Sequence, residues 1–316
     1  MTSPVFDFLL LPEFSFIGFA ALVEPLRIAN RFKPGAYQWR MVSANGLPVT
    51  ASNGIDLHPK ARLADPSDAS VVFAVASFNP LQHFTQDIGR QIQRRVARGA
   101  SLGAIDTGCF VLAEAGLLKG ERVTLHWEAV PAFQERYPLI AVQGELRYTL
   151  SPTLMTSAGA MASVDMMLEV FCRDHGNALA LLVSEQLVSG WVRERADHQR
   201  LQISARYKVH NAKVVQVIEQ MEKQLETPLT GETLAAHISV TRRQLERLFQ
   251  NHLGVSPLEF YLRLRLERAR HLLRQSSMGV IEIGLACGFA SASAFSRAYR
   301  RHYAIAPSDD RKETRR

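Results

Sequence analysis

Cysteine is scarce in this chain: 3 residues in 316, an odd number with no paired spacing. A disulfide framework is therefore excluded, and the usage fits a reducing cytoplasm. No His, Cys or acidic cluster has ligand spacing, which leaves no metal site and implies no cofactor. Long apolar runs are missing as well, so no segment has the twenty or so residues that a membrane-spanning helix needs. The short apolar run at 5–11 contains Asp7 and stops at Pro12, and no basic leader precedes it, which argues against a signal peptide. These absences leave a cytoplasmic globular protein.

Acid is short in one part of the chain only. Residues 206–316 hold 19 Lys and Arg against 11 Asp and Glu, while residues 1–205 hold 18 against 19. The whole net charge of +7 therefore belongs to the C-terminal third. A local basic excess is the electrostatic footprint of a phosphate-binding surface, although a solvated helical face has the same composition.

Two helix-turn-helix signatures lie in that basic third, LAAHISVTRRQLERLF at 234–249 and IGLACGFASASAFSRAYR at 283–300. Each places a small residue, Ala235 or Gly284, four positions before the turn, where two short helices must cross closely. Each then repeats an apolar anchor, an arginine and an aromatic: Leu245, Arg247 and Phe249, then Phe295, Arg297 and Tyr299. Thr241 with Gln244 reads as a capping box that starts the first recognition helix at Arg242, and Ser291 can cap the second. Between them Ser256-Pro257-Leu258-Glu259 opens a helix in which Leu258, Leu262, Leu266, Ala269 and Leu273 recur at helical spacing. Ending near Arg274, that spacer is about 27 Å long. It can hold two recognition helices on one face of a DNA duplex, about one helical turn apart.

This region resembles the AraC/XylS family of transcriptional regulators, through RRQLERLF, GVSPLEFYLRLRLERARHLL, GFASASAFSRAYRRHY and AIAPSDDR in the family's order. It departs at Ser239 and Ala304, where glycine is usual, and at Gly279, where a capping serine is usual. The resemblance implies base-edge contacts by Arg242, Arg243 and Glu246 from the first helix and by Ala292, Ser293 and Arg297 from the second. Arg243 and Arg297 suit guanine, to which a guanidinium donates twice. Arg247, Arg300 and Arg301 hold either phosphate or a neighbouring acid.

The first two hundred residues exceed what DNA binding requires. Strand patterns at 5–11, 38–43, 71–76, 101–106, 122–125 and 154–157 alternate with helical patterns at 16–31, 81–98, 108–115, 129–137 and 160–172. Such alternation predicts an α/β fold, a mostly parallel sheet flanked by helices on both faces and flavodoxin-like, with ligands outside the carboxyl ends of the strands. The all-α remainder carries the two helix-turn-helix motifs.

The segments LGAIDTGCFVLAEAGLLKGERVTLHW, SAGAMASVDMMLEVF and LLLPEFSFIGFAALVEPLRIAN resemble the PfpI-type branch of the class I glutamine amidotransferase-like superfamily. In its enzymes a cysteine occupies the nucleophile elbow; here that position is Asp106. The supporting glutamate falls at Gly18, and the glycine-rich oxyanion turn is replaced by Ala76-Ser77-Phe78. Acyl chemistry needs all three, so no catalytic residue is expected. Cys109, beside His126 in a superficial dyad, falls inside the next helix, where a free cysteine is more often a core residue.

An elbow without its nucleophile still forms a pocket. Phe14, Phe78, Asp106, Thr107, His126 and Trp127 are expected to converge there, an acid among aromatic faces that suits a cationic or zwitterionic metabolite, an amino acid or quaternary amine. The plainer alternatives are that Asp106 caps the following helix, that Trp127 is core, and that His126 is a satisfied strand-end histidine. Glu24 is either a second pocket acid or a partner for Arg27.

The expected organisation is a ligand-sensing domain at 1–193, ending in a helix at 179–195, a linker at 194–212, and a DNA-binding domain at 213–316. The expected function is an effector-responsive transcription regulator, by family habit an activator. Its expected partners are double-stranded DNA half-sites, a small-molecule effector, RNA polymerase and a second copy of itself. Two alternatives stay open: a PfpI-like cysteine hydrolase or amidotransferase tethered to DNA, and a DNA-binding protein that responds to no ligand.

Overall fold

The computed structural model describes residues 3–189, 199, 202–276 and 278–314. It divides into two compact units, Met1–Gln199 and Arg200–Arg316.

The first unit is built on β1 (Val5–Leu10), α1 (Phe16–Phe32), β2 (Gln38–Ser43), β3 (Val49–Thr50), β4 (Asp56–Leu57), β5 (Ala61–Arg62), β6 (Val71–Ala76) and α2 (Gln86–Ala97). It continues through β7 (Ser101–Asp106), α3 (Gly108–Glu114), β8 (Arg122–Val123), α4 (Val130–Arg136), β9 (Ala141–Val142), β10 (Tyr148–Leu150), β11 (Leu154–Ser157), α5 (Met161–His175) and α6 (Asn177–Gln186). Seven strands form one sheet in the order β10-β11-β7-β6-β1-β2-β5. All its pairings are parallel except that of the edge strand β10 with β11.

Both faces of this sheet are covered, which is why the central strands read as unbroken apolar runs. Phe6, Phe8 and Leu10 of β1 with Phe73 and Val75 of β6 enter the core shared with α1, α5 and α6. α3 packs on the sheet from β6 to β7, and α2 packs against α3. Asp7 is the polar exception inside β1 and is fully buried. Arg40 donates to both its carboxylate oxygens at 2.8 and 2.7 Å, and Ser67 Oγ donates at 2.7 Å. A buried carboxylate is tolerated only with such partners.

Several expected boundaries move. The helix foreseen at 81–98 begins at Gln86, because Thr85 accepts from Ile88 N and caps it there. The strand foreseen at 122–125 ends at Val123, since Thr124 N donates to the Thr156 hydroxyl rather than to a backbone carbonyl of a neighbouring strand. The helix foreseen at 179–195 is described as Asn177–Gln186; residues 190–195, like the first part of the 194–212 linker, lie outside the described residues.

The second unit contains α7 (Ile203–Tyr207), α8 (Ala212–Lys223), α9 (Gly231–His237), α10 (Arg242–Leu253), α11 (Pro257–Gln275), α12 (Val280–Ala286), α13 (Ala292–Tyr303) and α14 (Pro307–Thr314). α7 falls within the stretch read as linker. Its Ile203, and Val209 beyond it, are buried in the core formed by α8, α9 and α10, so this segment is packed structure. The polar residues between these two anchors hid them in the sequence.

The spacer helix α11 touches α8, α10, α12, α13 and α14. Its buried face is not quite the expected stripe. Phe260, Tyr261, Leu264, Leu266, Ala269, Leu272 and Leu273 are buried, whereas Leu258 is exposed. A helix packed from several sides needs more than one apolar row.

Candidate functional site

The two helix-turn-helix units are assembled as their sequences require. Thr241 accepts from Gln244 N and the Gln244 side chain accepts from Thr241 N, a complete capping box at the start of α10. Ser291 accepts from Ala294 N and starts α13. At α12 only half a box remains: Glu282 accepts from Gly279 N at 2.6 Å, and the glycine has no hydroxyl to return the bond. Ser239 and Ala304 occupy the positions where glycine is usual, with left-handed φ of 54° and 60°. Gly284 lies where α12 crosses α13, and a Cβ there would stand 3.2 Å from Phe295.

The second turn is held from α11. Arg265 donates to the carbonyls of Cys287 and Gly288 at 2.7 and 2.6 Å and lies 4.2 Å over the Phe289 ring. α14 is held by Asp310, which accepts from Tyr299 Oη, Arg270 Nε and Arg274. Neither role was read from the sequence, because Arg265 and Asp310 come together with their partners only across helices.

Arg243, Arg247, Arg297, Arg300 and Arg301 are all exposed, and none pairs with a carboxylate among the described residues. For Arg247, Arg300 and Arg301 this leaves phosphate as the open alternative. Arg242 differs, since it is bound to Glu232 at 2.6 Å and to Glu246 at 3.1 Å. Glu246 is thus committed to the same pair. Ser293 is exposed and Ala292 half-buried at the start of α13, so the first turn of that helix offers only short side chains.

At the sensor, β7 ends in Asp106, whose φ of 56° is left-handed. This is the strained strand-to-helix turn of a nucleophile elbow, here carrying a carboxylate. Gly108 starts α3 in close contact with β6, where a Cβ would stand 2.2 Å from Ala74 O. A Cβ at Gly18 would lie 3.0 Å from Ile105 Cδ1, so the absent acid would have projected beside the elbow.

Burial pushes the Asp106 carboxyl up to about 6, against the opposing pull of His126 and a Ser77 hydrogen bond, with Glu128 adding to the rise. Some of the residue still meets solvent. Thr107 is the N-cap of α3, yet it makes no capping bond and its hydroxyl donates to Ser77 O. His126 N donates to Asp106 O at 3.3 Å, and the His126 and Trp127 rings lie 5.6 Å apart. Trp127 is half-buried and its backbone N–H donates to Gln199 Oε1.

Thus Asp106, Thr107, His126 and Trp127 do meet, together with Ser77, at the carboxyl ends of the central strands. Phe78 follows Ser77 in the chain and is 46% exposed. Phe14 does not join them as a pocket aromatic. It is 0% exposed and packs edge-on against Phe19, because the chain folds back at Pro12 and carries its ring into the core. Glu24 is an exposed partner of Arg27 at 2.8 Å, which removes it as a pocket acid. Cys109 is fully buried and its Sγ donates to Thr124 O; burial, and then the Asp106 charge, drive its thiol far above the usual range. It is a core residue.

The sequence also concealed a row of strained exits. β11, β7, β6 and β1 are adjacent in the sheet, and each ends in or soon leads to a non-glycine residue with positive φ: Ala160 after β11, Asp106 at the end of β7, Asn79 after β6 and Glu13 after β1. Asn79 Nδ2 donates to Glu13 Oε2 at 3.0 Å, which ties two of these exits together. Strain of this kind collects at ligand clamps.

A tandem helix-turn-helix unit joined to an amidotransferase-like unit without its nucleophile defines a DNA-binding transcription regulator with a sensing domain. Residues 234–313 match the helix-turn-helix domain family, and residues 14–172 match the DJ-1/PfpI family. The chain is 52% identical to the HTH-type transcriptional regulator CdhR of Pseudomonas aeruginosa, covering 97% of this chain and 91% of that protein. It is 38% identical to the HTH-type transcriptional regulator GbdR of the same species, covering 96% and 83%. A crystal structure of an AraC family transcriptional regulator from Pseudomonas putida aligns with a TM-score of 0.54 at 25% identity, over 58% of this chain and 99% of that one. The chain belongs to the AraC-type transcriptional regulators that carry a DJ-1/PfpI domain, and it is a regulator rather than an enzyme. Among the described residues no helix is long and apolar enough to cross a membrane.

Proposed function

We propose that this regulator is an activator whose DNA affinity or geometry is set by a small cationic or zwitterionic metabolite, an amino acid or a quaternary amine, bound at Asp106. The observation that carries the reading is a carboxylate at the position of the lost nucleophile, partly desolvated, at a turn that His126 and Ser77 adjoin, with the aromatics Trp127 and Phe78 next to these two in the chain. A cation beside it stabilises its ionised form and gains from the ring faces. His126 and Thr107 complete the lining.

In the DNA-binding unit, Arg243 and Arg297 read bases, and Arg247, Arg300 and Arg301 hold phosphate. Arg242 and Glu246 act as one paired unit, with Ala292 and Ser293 against the second half-site. The protein works in the cytoplasm, where its DNA is, as a homodimer on paired half-sites that recruits RNA polymerase. The ligand acts by favouring one arrangement of the sensing domain (1–193) and DNA-binding domain (213–316) over another, which requires different affinity for the two.

Calorimetry of the full chain against amino acids and quaternary amines tests this. One compound should bind saturably, and Asp106→Asn should weaken it at least tenfold. Unchanged affinity in that variant would remove the charge pairing.

A further inference from the structure

We propose a second small-molecule site in this sensing domain, one that takes a short-chain carboxylate, in a cavity of about 190 Å³ between the ends of β1 and β2 and the start of α2. It is separate from the elbow, since Asp106, Ser77 and His126 do not line it. Its floor is apolar, including Leu10, Val49 and Ile88, all buried. Its rim is polar, with Asn45, His83 and Thr85.

The rim presents hydrogen-bond donors. His83 Nε2 is buried with no hydrogen-bond partner. Asn45 uses its Oδ1 to accept from Leu47 N, which leaves its amide N–H groups unassigned among the described residues. Thr85 Oγ1 accepts from Ile88 N, so its own proton remains to be donated. Asn45 and Thr85 are exposed and served by water, whereas His83 Nε2 in its protonated tautomer is a buried donor without an acceptor, a cost that a ligand supplying one recovers.

No carboxylate lines the cavity. The nearest to His83, Glu13, lies 3.6 Å from Nε2, beyond hydrogen-bond reach, and already accepts from Asn79. Asp87, in the first turn of α2, is engaged by Arg90 and Gln91. Donors at the mouth above an apolar floor suit a carboxylate head on a short alkyl tail. A cavity of about 150 Å³ takes benzene, so this space suits a ligand of about six heavy atoms, the size of butyrate.

The test is a ligand-observed NMR titration of the full chain with butyrate, using n-butylamine as the cationic counterpart. Butyrate should saturate and n-butylamine should not. His83→Ala should weaken butyrate about tenfold, the usual loss for a hydrogen bond to a charged group. Ala44→Phe, at an exposed lining position where the fold tolerates bulk, should abolish binding by filling the mouth. Asp106→Asn should leave butyrate binding intact.

The proposal is overturned by absence of saturation, by equal binding of the amine, or by binding that survives both His83→Ala and Ala44→Phe. Loss in Asp106→Asn would overturn it too, by moving the carboxylate to the elbow. Failure of the cationic effector reading alone leaves these outcomes unaffected, so the two are separable.

Discussion

Replacing Asp106 by asparagine should stabilise the protein at neutral pH. The carboxyl rises from an ordinary 3.8 to about 6 because burial penalises its charge. Each pH unit between those values is worth about 1.4 kcal/mol, which gives about 3 kcal/mol in all. The sign follows from a folded-state value above the unfolded one. Below pH 3.8 the group is protonated in both states and costs nothing. Between there and about 6 the wild type progressively loses stability relative to the variant, and above about 6 the difference is constant. Trp39 and Trp127 belong to the first unit and residues 200–316 contain no tryptophan, so fluorescence follows the first unit within the full chain. Urea titrations from pH 4.5 to pH 8 should show the two proteins diverging up to about pH 6. Parallel curves across that range would refute the desolvation argument. The same carboxylate fixes the effector's pH dependence: a cation binds the ionised form, so affinity should fall about tenfold per unit below about pH 6 and level off above it.

The DNA-binding unit yields further expectations. Gly284→Leu should push α13 away from α12 and cost about 3 kcal/mol, read as a lower melting temperature with loss of footprinting at one half-site. Asp310→Asn should cost about 3 kcal/mol in chemical denaturation, because Arg270, Arg274 and Tyr299 lose a shared anion. Burial works against the Asp310 charge, but Tyr299 and the two arginines hold its carboxyl below the usual range. Its stabilising contribution is therefore present above the unfolded value and should be lost only as pH falls through the lower, folded one. Arg243→Ala should cost about 1–3 kcal/mol and relax preference at one base pair, whereas Arg247→Ala should weaken all sequences alike and lower the salt slope by about one. Base substitutions should be tolerated better in the half-site read by α13 than in that read by α10; equal penalties in a binding-site scan would reject this.

Local chemistry made most of this architecture legible. The caps Thr241, Ser256 and Ser291 act on amides three residues away, so helix starts could be read directly. The central strands were legible because both faces are apolar. The two-residue strands β3, β4, β5 and β9, and the edge strand β10, escaped notice because few residues carry each and their partners are distant. The elbow could be placed from its motif, while Phe14 was misjudged because a sequence does not show which way a ring turns after a proline. Glu13, Ser77 and Gln199 join the site through contacts between separate strand exits, which leave no periodic trace.

The spacer helix α11 has a consequence for how the DNA-binding unit fails. Its residues enter the core around α8 and α10, and its Arg265 closes the turn between α12 and α13. Melting that one helix removes a wall from both halves. The two reading heads therefore share a common fate on denaturation, and the unit should unfold in a single cooperative transition.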